Sequence, residues 1–207
     1  MRFPLISRSI WCALVLAGVL FAMAPAQAET DSELLGRVER YLNAIVGMQA
    51  NFMQVNHDGS ISEGTLALQR PGLMRLDYQP PVMVRIVSDG QWITYYDLEL
   101  GQISQAPLNG THAELLVRND LRFGVDFVVM ALKHEAAAIE ITLARDGDTT
   151  EGSLTLIFSD NPLELRQWSV IDTQGLNTQV TLFDTRFGVT FDPAIFETPA
   201  PFPESDR

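Results

Sequence analysis

Short runs of alternating apolar and polar residues, separated by turn dipeptides, recur through most of this 207-residue chain. Asp58-Gly59, Asp89-Gly90 and Asp146-Gly147 are hairpin-type pairs, and Gly101 and Gly175 mark two further turns. So many strands with short connections imply an antiparallel meander. The predicted strands span residues 50–57, 61–70, 73–79, 82–88, 91–97, 101–106, 138–145, 152–158, 163–172 and 176–186.

The alternation assigns side chains to the two faces of this predicted sheet. Leu66, Leu68 and Arg70 share one face of their strand, and the residues between them take the other. A sheet of about ten twisted strands tends to curl. If it curls without closing, its apolar concave face needs a cover, and helices are the only candidates. The sequence therefore predicts a container with an apolar interior.

A helix precedes the strands. Thr30 and Glu33 have the spacing of a capping box, and Gly47 is expected to stop the helix. Apolar residues then recur at helical spacing along one face: Leu34, Val38, Tyr41, Ile45 and Met48.

The meander is interrupted once, at about residues 111–134, where helices are predicted to form a lid over the concave face. Apolar residues on nearly all sides of this segment indicate that it is buried or covers an apolar surface. The predicted fold is α+β, an open, incomplete antiparallel β-barrel of about ten to eleven strands with its apolar concave face covered by helices. The residues at helical spacing are Leu115, Leu116, Leu121, Val125, Val128 and Leu132.

Both ends of the chain differ from this pattern. Arg2 and Arg8 precede an apolar run over residues 10–23, and Ala26-Gln27-Ala28 is a small-x-small cleavage site. Residues 1–28 are therefore predicted to be a secretory signal peptide, with a membrane anchor as the alternative. Residues 29–207 are expected to form one domain, with a Pro-rich, extended and mobile tail after Asp192.

Composition excludes several functions. A net charge of −12 argues against nucleic acid or an anionic membrane surface as the main partner. The only cysteine, Cys12, lies in the predicted signal peptide, which excludes thiol catalysis and disulfides from the mature chain. His57, His112 and His134 lie in separate segments, so no metal site or cofactor is expected. No catalytic motif is present.

The most informative residues form an ordered series between the first predicted helix and the fifth predicted strand. The series has the patterns F-x-Q, G-x-L-x-x-x-R-P-G, R-x-x-Y-x-x-P, V-S-D-G and Y-D, and it resembles the periplasmic lipoprotein carrier family of the LolA type. Two positions depart from the family: Leu76 replaces a common aromatic residue, and a frequent proline is missing near Ala113. The matching residues are Phe52, Gln54, Gly64, Leu66, Arg70, Pro71, Gly72, Arg75, Tyr78, Pro81, Val87, Ser88, Asp89, Gly90, Tyr96 and Asp97.

The resemblance implies a function without catalysis. Members of that family carry the acyl chains of lipoproteins through the periplasm, from an inner-membrane ABC-type lipoprotein-releasing complex to an outer-membrane lipoprotein receptor. That receptor is itself a lipoprotein, so the missing lipidation cysteine favours the soluble carrier. A monomer is expected.

Arg70 is the residue to which the resemblance assigns a mechanical role. In the family the matching arginine bonds backbone carbonyls of the lid and holds the cavity shut, a role termed the lid latch below. The face that Arg70 shares with Leu66 and Leu68 is consistent with this, since a buried guanidinium must be hydrogen-bonded. The alternative is an arginine at a strand end that reaches solvent beside Pro71.

The predicted lining of the lipid cavity is less specific, because each candidate could equally be ordinary core. Two other functions also remain open. The fold could carry or sense another lipid, such as a glycolipid or hopanoid, or the chain could be an exported hydrolase that uses a carboxylate pair such as Asp97 and Glu99. The lining candidates are Leu66, Leu68, Met74, Leu76, Ile93, Leu115, Leu116, Phe127 and Met130.

Overall fold

A computed structural model describes residues 29–135, 137–145 and 152–197. The predicted signal peptide, the predicted turn at Asp146-Gly147 and the end of the predicted tail lie outside these residues. Two α-helices occur within them, α1 (Asp31–Ala44) and α2 (Ala113–Val117), together with a 3₁₀ helix (Pro193–Phe196). The strands are β1 (Gly47–Val55), β2 (Ile61–Gln69), β3 (Leu73–Tyr78), β4 (Val84–Asp89), β5 (Trp92–Asp97), β6 (Gln102–Pro107), β7 (Val128–Glu135), β8 (Ala138–Ala144), β9 (Ser153–Ser159), β10 (Glu164–Ile171) and β11 (Asn177–Phe187).

All eleven strands of the described residues belong to one antiparallel sheet, which confirms the predicted open architecture. The strand order is β6-β5-β4-β3-β2-β1-β11-β10-β9-β8-β7. Among the described strands, only the β1–β11 pair joins strands that are distant in the chain. The two edge strands, β6 and β7, follow each other in sequence, and the segment between them carries α2. The chain therefore places α2 where the sheet fails to close.

One face of the sheet carries the main core. The strict alternation of β2 buries Leu66 and Leu68, and β8 buries Ile139, Ile141 and Leu143 in the same way. These side chains pack with the apolar face of α1 and with all three C-terminal residues of α2. Burial of this surface is the main contribution to folding. The concave face and both helices thus share one apolar interior.

Helix α1 has the predicted start and a different end. The Thr30 hydroxyl accepts the Glu33 amide hydrogen, and the Glu33 carboxylate accepts that of Thr30, so the capping box is confirmed. The helix ends at Ala44, however, and Met48 lies in β1. Gly47 is needed for a close approach instead, because a Cβ there would lie 1.9 Å from the carbonyl oxygen of Val189.

The prediction of lid helices over residues 111–134 is largely wrong. Helix α2 has five residues, and Val128 and Leu132 belong to strand β7, which pairs with β8. Their spacing of four fits one turn of helix, but it is also an even number, so it fits one face of a strand equally well. The described residues contain no helix long and apolar enough to cross a membrane.

The segment after Asp192 does not begin as an extended tail. The Asp192 carboxylate accepts the amide hydrogen of Ala194 and caps the 3₁₀ helix. Phe196, at its end, is buried against Phe191, and Arg75 of β3 donates a hydrogen bond to the carbonyl of Ile195. These contacts fix the chain up to residue 196 against the sheet.

Gly64 offers a test of how closely the concave face is packed. A Cβ at this position would lie 2.3 Å from the carbonyl oxygen of Asp77 and 2.6 Å from the Phe52 ring. Gly64→Ala should therefore lower the free energy of unfolding by about 1–3 kcal/mol. Gly36→Ala, in α1, should raise it by about 0.5–1 kcal/mol, because the new methyl meets only the flexible end of Arg40.

Urea denaturation of residues 29–207 measures both differences. A Gly64→Ala protein that is as stable as the parent would contradict the packing described here.

Candidate functional site

An apolar cavity of about 160 Å³ lies between the concave face of the sheet and the first residues of α2. Seven of the described strands and α2 contribute to its lining, and more than half of the lining residues lie on β3, β9, β10 and β11. Among the described residues, the lining includes no carboxylate and no lysine or arginine. The lining residues are Gln54, Met74, Leu76, Tyr78, Ile86, Ile93, His112, Ala113, Leu116, Leu154, Trp168, Val170, Thr178 and Val180.

Four of the predicted lining residues, Met74, Leu76, Ile93 and Leu116, line this cavity. Three more, Leu66, Leu68 and Leu115, are fully buried in the adjoining core and are not part of its wall. Phe127 is also buried, under the guanidinium of Arg145, and it lines a smaller cavity beside α2. The sequence therefore located the apolar interior but could not separate wall from core.

Met130 is the one candidate that the structure removes from the interior. Its side chain is 44% exposed on the edge strand β7, next to a register shift between Val129 and Ala131. The irregular pairing changes the alternation at this point. The prediction that Met130 lines the cavity requires a helix where this strand lies.

The sequence missed Leu154, Trp168 and Val180, which form the wall opposite β3. The sequence pattern could have identified them, because each lies at a buried position of a strand in which buried and more exposed residues alternate. Trp168 is 6% exposed, whereas Trp92 is 41% exposed. The two tryptophans therefore report on different environments.

Arg70 is buried, with 7% of its surface exposed, so the alternative of a solvent-facing arginine is wrong. Its Nε donates to the carbonyl oxygen of Leu116 in α2 at 2.9 Å, and its Nη1 donates to the carbonyl oxygen of Leu42 in α1. Burial lowers the pKa of Arg70 to about 10. The guanidinium thus bonds both helices, and its burial away from water carries an electrostatic cost. The role of Arg70 as a lid latch stays a prediction.

Few other polar contacts hold α2 and the residues after it. The amide of Gly72 donates to the carbonyl of Val117 at 2.9 Å, on the β3 side. The Asn43 side chain exchanges two hydrogen bonds with the backbone of Leu121, at 2.8 Å and 3.0 Å. These bonds connect the segment to α1 and to the β2–β3 turn.

An ion-pair network also attaches α2 to the sheet. The carboxylate of Glu114 accepts from Arg145, just after β8, and from Arg118, each at 2.7 Å. Burial raises the pKa of Glu114, but hydrogen bonds from the Gly110 amide and from Arg145 outweigh this effect and leave that pKa below its usual value. Glu114 is therefore ionised at neutral pH.

The acidic pair considered for hydrolysis and the histidines considered for metal binding have other roles in the described residues. The Asp97 carboxylate accepts the amide hydrogens of Glu99 and Leu100 and caps the turn after β5. His134 pairs with Asp160, 2.9 Å away. In the part of the chain that the structure describes, no cluster of three potential ligands could hold a metal ion.

The family model described as "Outer membrane lipoprotein carrier protein LolA" matches residues 43–199. The chain belongs to the LolA family. This match confirms the resemblance seen in the ordered series of motif residues, and it spans every strand of the sheet.

Curated relatives of the LolA family align with most of the chain. An outer-membrane lipoprotein carrier protein of Azotobacter vinelandii is 30% identical over 197 residues, covering 91% of this chain and 93% of the relative. A protein of the same name from Methylococcus capsulatus is 29% identical over 184 residues, covering 85% and 87%. Among solved structures, a LolA superfamily protein from Nitrosomonas europaea has 10% identity and a TM-score of 0.47, covering 83% of this chain and 99% of its own.

The contacts of Arg70 predict a local effect of its replacement. In Arg70→Leu the carbonyl of Leu116 loses its donor, so α2 should separate more often from α1 and the sheet. Hydrogen exchange at the amides of Gly72 and Leu121 reports this opening. The Gly72 amide donates to the carbonyl of Val117 in α2, and the Leu121 amide, just after α2, donates to the side chain of Asn43 in α1. The loss of one hydrogen bond should speed exchange there about tenfold.

Two comparisons make this measurement specific. The amide of Gln79, bonded to the carbonyl of Glu63 within the sheet, should keep its rate. Arg166→Leu removes an arginine that is half exposed and paired with Glu164, and it should leave both reporter amides unaffected. Equal exchange of Gly72 and Leu121 in the parent and in Arg70→Leu would show that Arg70 does not hold α2.

Proposed function

We propose that this protein is a soluble periplasmic carrier of lipoproteins. It takes the acyl chains of a lipoprotein from an inner-membrane ABC-type releasing complex, shields them inside the sheet, and delivers them to an outer-membrane receptor. The names of the Azotobacter and Methylococcus relatives support the carrier role. The cavity under α2 supports it independently.

The composition of the cavity is the single observation on which the proposal rests most. Ten of its lining residues are apolar, and the described lining includes no carboxylate, lysine or arginine. Such a surface recognises hydrocarbon by exclusion of water. It suits an acyl chain and offers no charged group to a polar substrate.

The size of the cavity requires that α2 moves when cargo enters. A cavity of about 150 Å³ accommodates a group the size of benzene, and the cavity here measures about 160 Å³. An acyl chain of roughly fifteen methylenes is much longer, and its full transfer from water contributes about 12 kcal/mol. Cargo must therefore displace α2 from the concave face.

The attachments of α2 suit such a displacement. In the part of the chain that the structure describes, its polar connections to the sheet are the Arg70 bond, the Gly72 bond and the Glu114–Arg145 pair, besides its apolar face. The residues after α2 are bonded to Asn43 and Glu39 of α1. An entering hydrocarbon chain replaces the apolar contacts, so opening costs mainly these polar bonds. A modest cost of opening permits the carrier to take up cargo and still release it to a stronger binder.

Mass spectrometry of the protein purified from the periplasm of a Gram-negative host tests this proposal. The full chain with residues 1–28 should be expressed, and its co-purifying molecules extracted and identified. Triacylated polypeptides are the expected result, because acyl chains that cross water must stay covered.

Two other outcomes would contradict the proposal. Free glycolipid or hopanoid without polypeptide would indicate a carrier for a different lipid, the alternative left open by the fold. Recovery of no apolar molecule at all, from a protein shown to be folded, would mean that the interior is not a transport site. A control chain with an unrelated β-fold, purified in the same way, sets the background.

A further inference from the structure

Three polar side chains interrupt the apolar lining of the cavity at one end. Gln54 precedes the last residue of β1, Tyr78 is the last residue of β3, and Thr178 is the second residue of β11. Strands β1 and β3 run in the same direction, and β11 runs against them. All three residues therefore lie at the same end of the strands. This polar end of the cavity lining, formed by Gln54, Tyr78 and Thr178, is termed the mouth.

The floor of the cavity extends from this mouth along apolar residues only. Leu76 and Met74 share the face of Tyr78 and lie two and four residues further in, and Ile93 lies beyond Met74 across β4. Four residues of strand span roughly 13 Å. A ligand that fits this arrangement is apolar along most of its length and carries a polar group at one end.

Gln54 and Tyr78 are held in place before any ligand binds. The Tyr78 hydroxyl donates to Oε1 of Gln54 at 2.7 Å, and Nε2 of Gln54 donates to Oδ1 of Asn56 at 2.7 Å. The Tyr78 ring packs edge-on against Phe52, with 5.0 Å between ring centroids. Burial raises the pKa of Tyr78 to about 12, so the hydroxyl stays neutral. Preorganised polar groups of this kind fix the orientation of a ligand.

The remaining hydrogen-bonding capacity defines the chemistry of that ligand. A glutamine amide has two N–H donors, and within the described residues Gln54 uses one of them, on Asn56. The second donor suits a neutral carbonyl oxygen. An anionic head group is disfavoured, since the described lining has no lysine or arginine, and burial together with Arg145 lowers the pKa of His112 and keeps that imidazole neutral.

We propose that Gln54 and Tyr78 form a carbonyl subsite at the cavity mouth, where the amide of Gln54, oriented by Tyr78, binds an ester or amide carbonyl of an acylated ligand. The hydrocarbon chain attached to that carbonyl then extends along Leu76 and Met74. This inference rests on the proposed carrier function and adds to it a recognition of the acyl linkage. Hydrocarbon burial alone would not distinguish an acyl chain from an alkyl chain.

Two synthetic probes separate the carbonyl from the chain. One is a lipopeptide with two ester-linked hexadecanoyl chains, and the other is the same peptide with two ether-linked hexadecyl chains, which lack carbonyl groups. Isothermal titration below the micelle concentration gives both dissociation constants for residues 29–207. The parent should bind the ester probe about threefold to tenfold more tightly, as expected for one net hydrogen bond.

The variants test which residues produce this preference. Gln54→Leu removes the donor and Tyr78→Phe removes the hydroxyl that orients it, so each should bring the ratio of the two constants close to one. Gln91→Leu changes an exposed glutamine in the β4–β5 turn, at the opposite end of the strands from Tyr78, and should keep the parent's ratio. Thermal unfolding of each variant verifies that it is folded.

The outcomes distinguish the two proposals. Equal binding of both probes by the parent, or an unchanged ratio in both variants, would overturn the carbonyl subsite while leaving the carrier function in place. Failure of the parent to bind either probe would overturn the carrier function itself. A preference that Gln54→Leu and Tyr78→Phe both abolish supports the subsite.

Discussion

One buried guanidinium connects the two helices that pack against the concave face of the sheet. Arg70 reaches a carbonyl of α1 and a carbonyl of α2 from the floor of the sheet, and its low pKa expresses the cost of removing the charge from water. A leucine in this position could join the same elements by packing alone. The polar connection instead has a defined geometry, and under the proposed latch α2 would separate from Arg70 by breaking one hydrogen bond to the carbonyl of Leu116.

The topology explains why this connection matters. The sheet ends in β6 and β7, and the chain between these edges is the segment that includes α2. The same short segment therefore spans the opening and covers the concave face. Arg70, Gly72 and Arg145 bond to α2, and Asn43 bonds to the residues after it. Because α2 pairs with no strand, the displacement proposed for cargo uptake would leave the strands hydrogen-bonded to one another.

The sequence predicted the sheet more accurately than the lid. Alternation and glycine turns placed ten strands within a few residues of their observed bounds, since both signals are local. The helix prediction for residues 111–134 was largely wrong because a spacing of four residues, as between Val128 and Leu132, places side chains on one face of a helix and of a strand alike. Alternation also indicated which way Arg70 points, but its partner carbonyls are set by tertiary packing. The contact of Tyr78 with Gln54 depends on the register of β1, β2 and β3, which no local pattern reveals.

The proposed carrier function requires that hydrocarbon chains occupy the interior beneath α2, and the two tryptophans of residues 29–207 permit a direct measurement. Trp168 lines the cavity, and Trp92 is exposed on β5. A brominated acyl chain quenches indole fluorescence only on close contact. In Trp92→Phe, where Trp168 is the remaining fluorophore, a lipopeptide with brominated chains should quench strongly and saturably, whereas in Trp168→Phe the signal of Trp92 should change little. Equal quenching of both, or no quenching of Trp168, would contradict the account.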